Sequence, residues 1–260
     1  MPESTKLTAA DFSEFRRAIV IGASSGIGEA LARDLAKAGS RVALVARRKN
    51  ELDRIAKRIR ETGTGEAYVH VHDVAHFAEV PELFDKIVEE LGGLDMIVYA
   101  AGLMPEIAEG EYDFAKDKAM VDVNLLGAMA WLNPAAAFFE AQRRGTIAGI
   151  SSIAGERGRR GNPAYCTTKA ALSTYLESLR NRLARYGVNV VTVKPGFVDT
   201  AMTKGKKGLF WLISAEQAAT ATLDLIRKGT GAAGFVPHRW ALVAWVVRHI
   251  PSFVFRRLNF

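Results

Sequence analysis

The sequence predicts a single-domain α/β fold, a doubly wound parallel sheet with helices on both faces. Three observations carry that expectation. Short β-branched runs alternate with longer stretches of helical spacing, as strands joined by crossover helices do. A glycine-rich string stands between the first strand and the first helix. The 260 residues, 49% of them apolar, hold enough side chain for one substantial core. No linker, repeat or low-complexity segment interrupts the chain before its C-terminal tail.

Residues 18–21 read as a buried strand, followed by a helix that runs to Ala38 and stops at Gly39. The second strand is 41–46 and the second helix 51–61. Further strands are expected at 67–72, 95–99, 146–150 and 189–194, and further helices at 81–91, 117–142, 164–186 and 215–227. Right-handed crossovers between such strands make the sheet Rossmann-type. The expected organisation is an N-terminal extension over 1–16, a Rossmann-type domain over 17–236 and an apolar, basic tail over 237–260.

Charge is informative once located. The net charge is +7, and residues 225–260 contain six lysines and arginines and no acid. The rest of the chain is close to neutral, so no nucleic-acid partner is expected. A single cysteine, Cys166, excludes an internal disulfide and suits a reducing cytosol. Residues 1–15 carry Glu3, Asp11 and Glu14 and no apolar stretch of the secretory kind, so the cytoplasm is the expected location. The five histidines stand apart, and no metal site is expected.

The string Gly22-Ala23-Ser24-Ser25-Gly26-Ile27-Gly28 has the context of a phosphate-binding turn. Glycine at 22 allows a tight turn, at 26 a close approach of backbone to a pyrophosphate, and at 28 close packing of helix on strand. The helix N-terminus then offers free N–H groups and partial positive charge. Further on, Tyr165 and Lys169 are four apart in a helical pattern, one above the other on one face. A phenol with a pKa of about 10 is a poor proton shuttle near neutrality, and a neighbouring ammonium should lower it. Ser151 and Ser152 follow a strand's C-terminal end, where a hydroxyl can hold a substrate oxygen. Cys166 is expected to be a small buried apolar residue, since no histidine base is near it in sequence.

Taken in order over roughly residues 17–236, these motifs resemble the short-chain dehydrogenase/reductase family. The glycine string is similar to that family's T-G-x3-G-x-G turn, with Ile21 in place of threonine. Asp73-Val74 resembles its adenine-contacting pair, and Tyr99-Ala100-Ala101-Gly102 its N-N-A-G, both asparagines being replaced. Asn124, Ser152, Tyr165 and Lys169 fall where the family has its catalytic asparagine, serine, tyrosine and lysine. Pro195-Gly196 matches the pair after the sixth strand, and Val198 and Thr200 follow on the cofactor side. The resemblance selects Ser152 over Ser151. It implies that Lys169 also holds the nicotinamide ribose and that Asn124 anchors a helix kink and a water. It further implies a homo-oligomeric enzyme that interconverts a carbonyl compound and its alcohol.

Where an acid would bind the adenosine ribose at the end of the second strand, the sequence has Ala46, then Arg47 and Arg48. Forked guanidinium donors suit a 2′-phosphate, so NADP(H) is expected ahead of NAD(H). The plainer alternative makes both arginines solvated charges. Residues 201–213 correspond to the family's lid; Phe210 and Trp211 favour an apolar substrate, while Lys204, Lys206 and Lys207 form a solvated rim or meet an acidic group. The tail is apolar nearly all round from Trp240 to Val247, with arginines on both sides. It is too short to span a bilayer, which leaves a subunit interface, a cover over the pocket, or peripheral membrane contact. Two other functions share these motifs: a dinucleotide-binding sensor and a membrane-surface protein.

Overall fold

The computed structural model describes residues 15–205, 208–229 and 233–258. The expected extension over 1–16 lies almost wholly outside the described residues, as do Lys206 and Lys207 of the lid.

Seven strands form one parallel sheet: β1 (Arg17–Ile21), β2 (Arg41–Ala46), β3 (Glu66–Val71), β4 (Met96–Tyr99), β5 (Gly145–Ile150), β6 (Val188–Pro195) and β9 (Ala233–Val236). Their order is β3-β2-β1-β4-β5-β6-β9, so the winding reverses between β1 and β4. A crevice opens beyond the carboxyl ends of the strands at such a reversal. Side chains alternate between the two faces of the sheet, and both faces are buried. Val20, Leu44 and Val98 point to one side, where they meet α1 (Gly26–Lys37), α2 (Lys49–Thr62) and α7 (Ala215–Arg227). Ile19, Ile21 and Ile97 point to the other, against α3 (Val80–Leu91), α5 (Gly127–Gln142) and α6 (Pro163–Leu183). The near-continuous apolar strands of the sequence follow from this double cover. At the opposite edge, Arg17 pairs with Asp95 through two hydrogen bonds of 2.6 and 2.9 Å, tying β1 to the entry of β4.

Three features differ from the sequence reading. The helix expected at 117–142 begins earlier, at α4 (Phe114–Val121), because the Asp113 carboxylate caps it by accepting from the N–H groups of Ala115 and Lys116. It is also not the continuous helix that spacing over 117–142 alone would give: a π-helical turn over Asp122–Leu126 contains Asn124, where the resemblance implied a kink. The third is β9, a four-residue edge strand too short to show a period. Two further strands of two residues, β7 (Val198–Asp199) and β8 (Ile213–Ser214), close the ends of the lid on each other. The tail forms α8 (Trp240–His249) and α9 (Ser252–Phe255).

Candidate active site

Gly22 leaves β1 at φ +86°, where a Cβ would lie 2.5 Å from the Ala101 backbone nitrogen. A Cβ on Gly28 would lie 2.3 Å from the Gly22 carbonyl oxygen. Turn, helix and the loop after β4 therefore approach more closely than any side chain permits. Ser25 is the N-cap of α1 but makes no side-chain capping bond, so the first N–H groups of the helix lack that partner. The Ser25 hydroxyl instead accepts from Arg48 Nη2 at 2.6 Å. Arg48 also donates to Ser24 Oγ from Nε at 3.1 Å and Nη2 at 2.8 Å. Arg47 is largely exposed and lies 3.5 Å from the Asp73 carboxylate.

One cavity of about 760 Å³ begins here and runs along the carboxyl ends of the strands to Tyr165. It is lined by every residue assigned above to cofactor or substrate, from Gly22 to Thr200. Asn124 lies behind its wall, fully buried in the π turn. Its Oδ1 accepts from Leu103 N at 2.6 Å, while Nδ2 donates to Leu103 O at 2.9 Å and Thr168 Oγ1 at 3.1 Å. The π turn thus turns Asn124 inward to clamp the loop after β4 against α6, and its side chain does not face the cavity. Tyr99, standing for the first asparagine of the N-N-A-G motif, donates to Val123 O at 2.5 Å and ties β4 to the same turn.

The two serines have separate partners. Ser151 donates to Lys169 O at 2.9 Å and is 2.8 Å from Ser173 Oγ, both on α6. Ser152 accepts from Ala154 N at 3.0 Å and lines the cavity with Tyr165. Burial pushes the Tyr165 phenol above its ordinary pKa; the Ser152 hydroxyl and the charge of Arg159 act the other way, and Cys166 acts with burial. The ammonium of Lys169, expected to lower that pKa, is turned to the Ile150 carbonyl at 2.9 Å and stands 5.8 Å from the Tyr165 ring centroid. Burial brings Lys169 itself down to about 8. Proximity in the helix brought both groups to the cavity, but burial governs the pKa of each.

Several contributors were not read from the sequence. Arg159 lines the cavity with a buried Nε that has no hydrogen-bond partner. The signal was the Arg157-Gly158-Arg159-Arg160 run between Ser152 and Tyr165. Its arginines divide: Arg160 pairs with Glu109 at 2.9 Å, Arg159 faces the cavity, and Arg157 donates to the carbonyls of Val247 and Ile250 at the end of α8. Leu103, Met104, Ile107 and Leu209 make the substrate end apolar, and they sit in loops without period. The tail adds Trp240, buried against Gly196, where a Cβ would lie 2.0 Å from the indole nitrogen. Its ring is 5.3 Å from Phe197 and 5.0 Å from Phe210. One face of α8 thus packs within its own chain, on Gly196, Phe197 and Phe210, and no described tail residue lines the cavity. Among the described residues no cluster of three His, Cys, Asp or Glu could hold a metal ion.

The uncapped helix end, the glycine approach and the Arg48–serine group fit a dinucleotide's phosphates. A family model described as short chain dehydrogenase matches residues 16–208. An uncharacterised oxidoreductase of Staphylococcus saprophyticus is 37% identical over 186 residues, covering 72% of this chain and 80% of that protein. One from Staphylococcus aureus is 35% identical, covering 72% and 79%. A short-chain type dehydrogenase/reductase of Mycobacterium marinum superposes with a TM-score of 0.79 at 26% identity, over 88% of this chain and 97% of that one. A structure described as a short-chain alcohol dehydrogenase from Sinorhizobium meliloti gives 0.79 at 26%, over 87% and 96%.

Proposed function

The chain belongs to the short-chain dehydrogenase/reductase family and is an oxidoreductase; from that premise we propose that it interconverts a small apolar carbonyl compound and its alcohol, with NADP(H) preferred over NAD(H). One observation carries the proposal: a single cavity has Arg48, Ser24 and Ser25 at one end and Ser152, Tyr165 and Lys169 at the other.

The nicotinamide cofactor supplies or accepts the hydride. The chain's own residues do the rest. Ser152 Oγ and the Tyr165 hydroxyl, which line the same cavity, hold the substrate oxygen between them. Tyr165 gives its proton to that oxygen during reduction and takes it back during oxidation. Lys169, charged at neutral pH and beside the phenol, replaces the proton and holds the cofactor's ribose. Asn124 keeps the loop after β4 in place through Leu103. Leu103, Met104, Ile107 and Leu209 exclude water around the reacting carbon and select an apolar substrate. The preference for NADP(H) rests on Arg48, whose guanidinium is held by two serines at the end of β2 where an acid is missing. Assembly as a homo-oligomer is part of the same reading.

A panel of ketones, aldehydes and alcohols, followed at the nicotinamide absorbance, tests this with wild type and Tyr165→Phe. The variant should lose about 100- to 10,000-fold in turnover, the usual worth of a positioned proton donor, and keep its affinity for NADPH. Wild-type turnover in Tyr165→Phe sinks the assignment. NADPH binding with no turnover on any substrate favours the sensor.

A further inference from the structure

The lid and the tail meet on one side of the molecule. Trp211 and Trp240 have ring centroids 5.6 Å apart, and the Arg239 guanidinium lies 5.0 Å from the Trp211 ring. Helical spacing divides α8 into two faces. Trp240 and Ala244 are buried against the chain, whereas Leu242, Trp245 and Val246 project away from it. Leu242 is 66% exposed, Trp245 61% and, on α9, Phe253 60%. Phe210, Trp211 and Leu212 of the lid are half-exposed beside them. Exposed apolar side chains gathered in this number on neighbouring segments are of the kind a chain does not leave in water without a partner.

Charge identifies the partner. The described residues of 200–214 and 237–258, which supply this surface, contain five lysines and arginines and no acid. The buried carboxylate of Glu156 is taken by Lys194, at 2.7 Å, and Arg248. A second copy docked by this face about a two-fold axis would bring the same cations against one another. An anionic headgroup layer neutralises them, accepts tryptophan at its boundary and lets arginine stems lie on the apolar surface with their heads in water. Among the described residues no helix is long and apolar enough to cross a membrane; α8 and α9, of ten and four residues, suit lying on one.

We propose that this face docks on an anionic lipid bilayer, with Leu242, Trp245, Phe253 and the lid aromatics inserted at the headgroup level. Thr200, Met202 and Leu209 of the same lid line the cavity. The cavity is therefore entered from the lipid side, and its substrate is a carbonyl compound or alcohol that partitions into the bilayer. That last clause rests on the function proposed above; the docking does not.

Co-sedimentation of the full-length protein with phosphatidylglycerol and phosphatidylcholine vesicles tests the docking without any turnover. Wild type should bind phosphatidylglycerol at least tenfold more tightly than phosphatidylcholine, with a loss on adding salt. A Leu242→Glu, Trp245→Glu, Phe253→Glu variant should lose that binding about tenfold or more. All three side chains project outward, so NADPH titration should be unchanged and report an intact fold; the single Trp245→Glu change serves where the triple variant does not fold. Wild type that stays with neither vesicle, or binds both equally, overturns the proposal. So does sedimentation velocity showing a dimer that the variant splits, which would make the partner a second copy. Failure of turnover with vesicle binding intact breaks only the function proposed above.

Discussion

The two ends of the cavity are held by opposite means. At the phosphate end, backbone presses on backbone: Gly22 against Ala101, and Gly28 against the Gly22 carbonyl, with Arg48 fixed by two serines. At the substrate end, side chains from the lid, the 156–160 loop and the tail meet at aromatic contacts 5–6 Å apart and at an ion pair spanning distant parts of the chain. The first end resists any change of shape. The second can be rebuilt by substituting side chains, which is where a family sharing one cofactor varies its substrates.

The strongest attempt to break this contrast is Gly28→Val. Its side chain has no space before the Gly22 carbonyl, so the turn must move, an overpacking worth roughly 1–3 kcal/mol. Affinity for NADPH and NADH should fall together by about 10- to 100-fold in fluorescence titration. A loss confined to carbonyl KM would mean that the turn is as adaptable as the lid.

Arg48→Ala sharpens the contrast within the phosphate end. Removing a charged donor group should weaken NADPH binding about tenfold, the low end of the worth of a charge-assisted bond. NADH binding should stay within about twofold, because Ser24 and Ser25 keep their backbone positions. Equal losses for both cofactors would show that Arg48 supports the turn and does not read the 2′-phosphate.

The smallest effect is a pH limb. Burial lowers Lys169 from 10.5 to about 8, so it is charged at pH 7 and mostly neutral at pH 9. In carbonyl reduction, which draws on that proton, kcat/KM should fall as pH rises through about 8. Lys169→Arg should remove the limb from its residual activity, since a guanidinium stays charged there. Between pH 8 and 10.5 the unfolded chain binds the extra proton, so the stability cost of burying Lys169 eases as pH rises. A profile flat from pH 7 to 9 would remove Lys169 from the proton path.

The same contrast explains what was legible in the sequence. Gly22 to Gly28, Tyr165 and Lys169, and Ala46 to Arg48 are short strings whose spacing is set by one turn or one helix, and all reach the cavity. Six of the seven sheet strands were readable: in five, both faces are buried and the apolar runs are continuous, while β3, half-buried at the edge, is marked by alternation of its side chains. β9 escaped because its place depends on the edge that β6 offers, not on its own four residues. The break at Asn124 was given by the resemblance, which implies a helix kink there, and not by periodicity, because residues 114–142 keep helical spacing on both sides of it. The balance on Tyr165 was misjudged because burial is a property of the assembled cavity, and no spacing encodes it. The tail's apolar run was visible, but only its packing divides it into a covered face and an open one.

The contact between Trp240 and Gly196 makes the C-terminus hard to exchange. The indole occupies the space that any side chain at 196 would need. A chimera that receives a relative's tail without a large ring at 240 inherits a hollow beside the sixth strand. A relative that carries a side chain at 196 cannot accept this tail. The pair works as a compatibility mark, so tail and lid must be transplanted together, with Arg157 and Glu156, if specificity is to be moved between proteins of this fold.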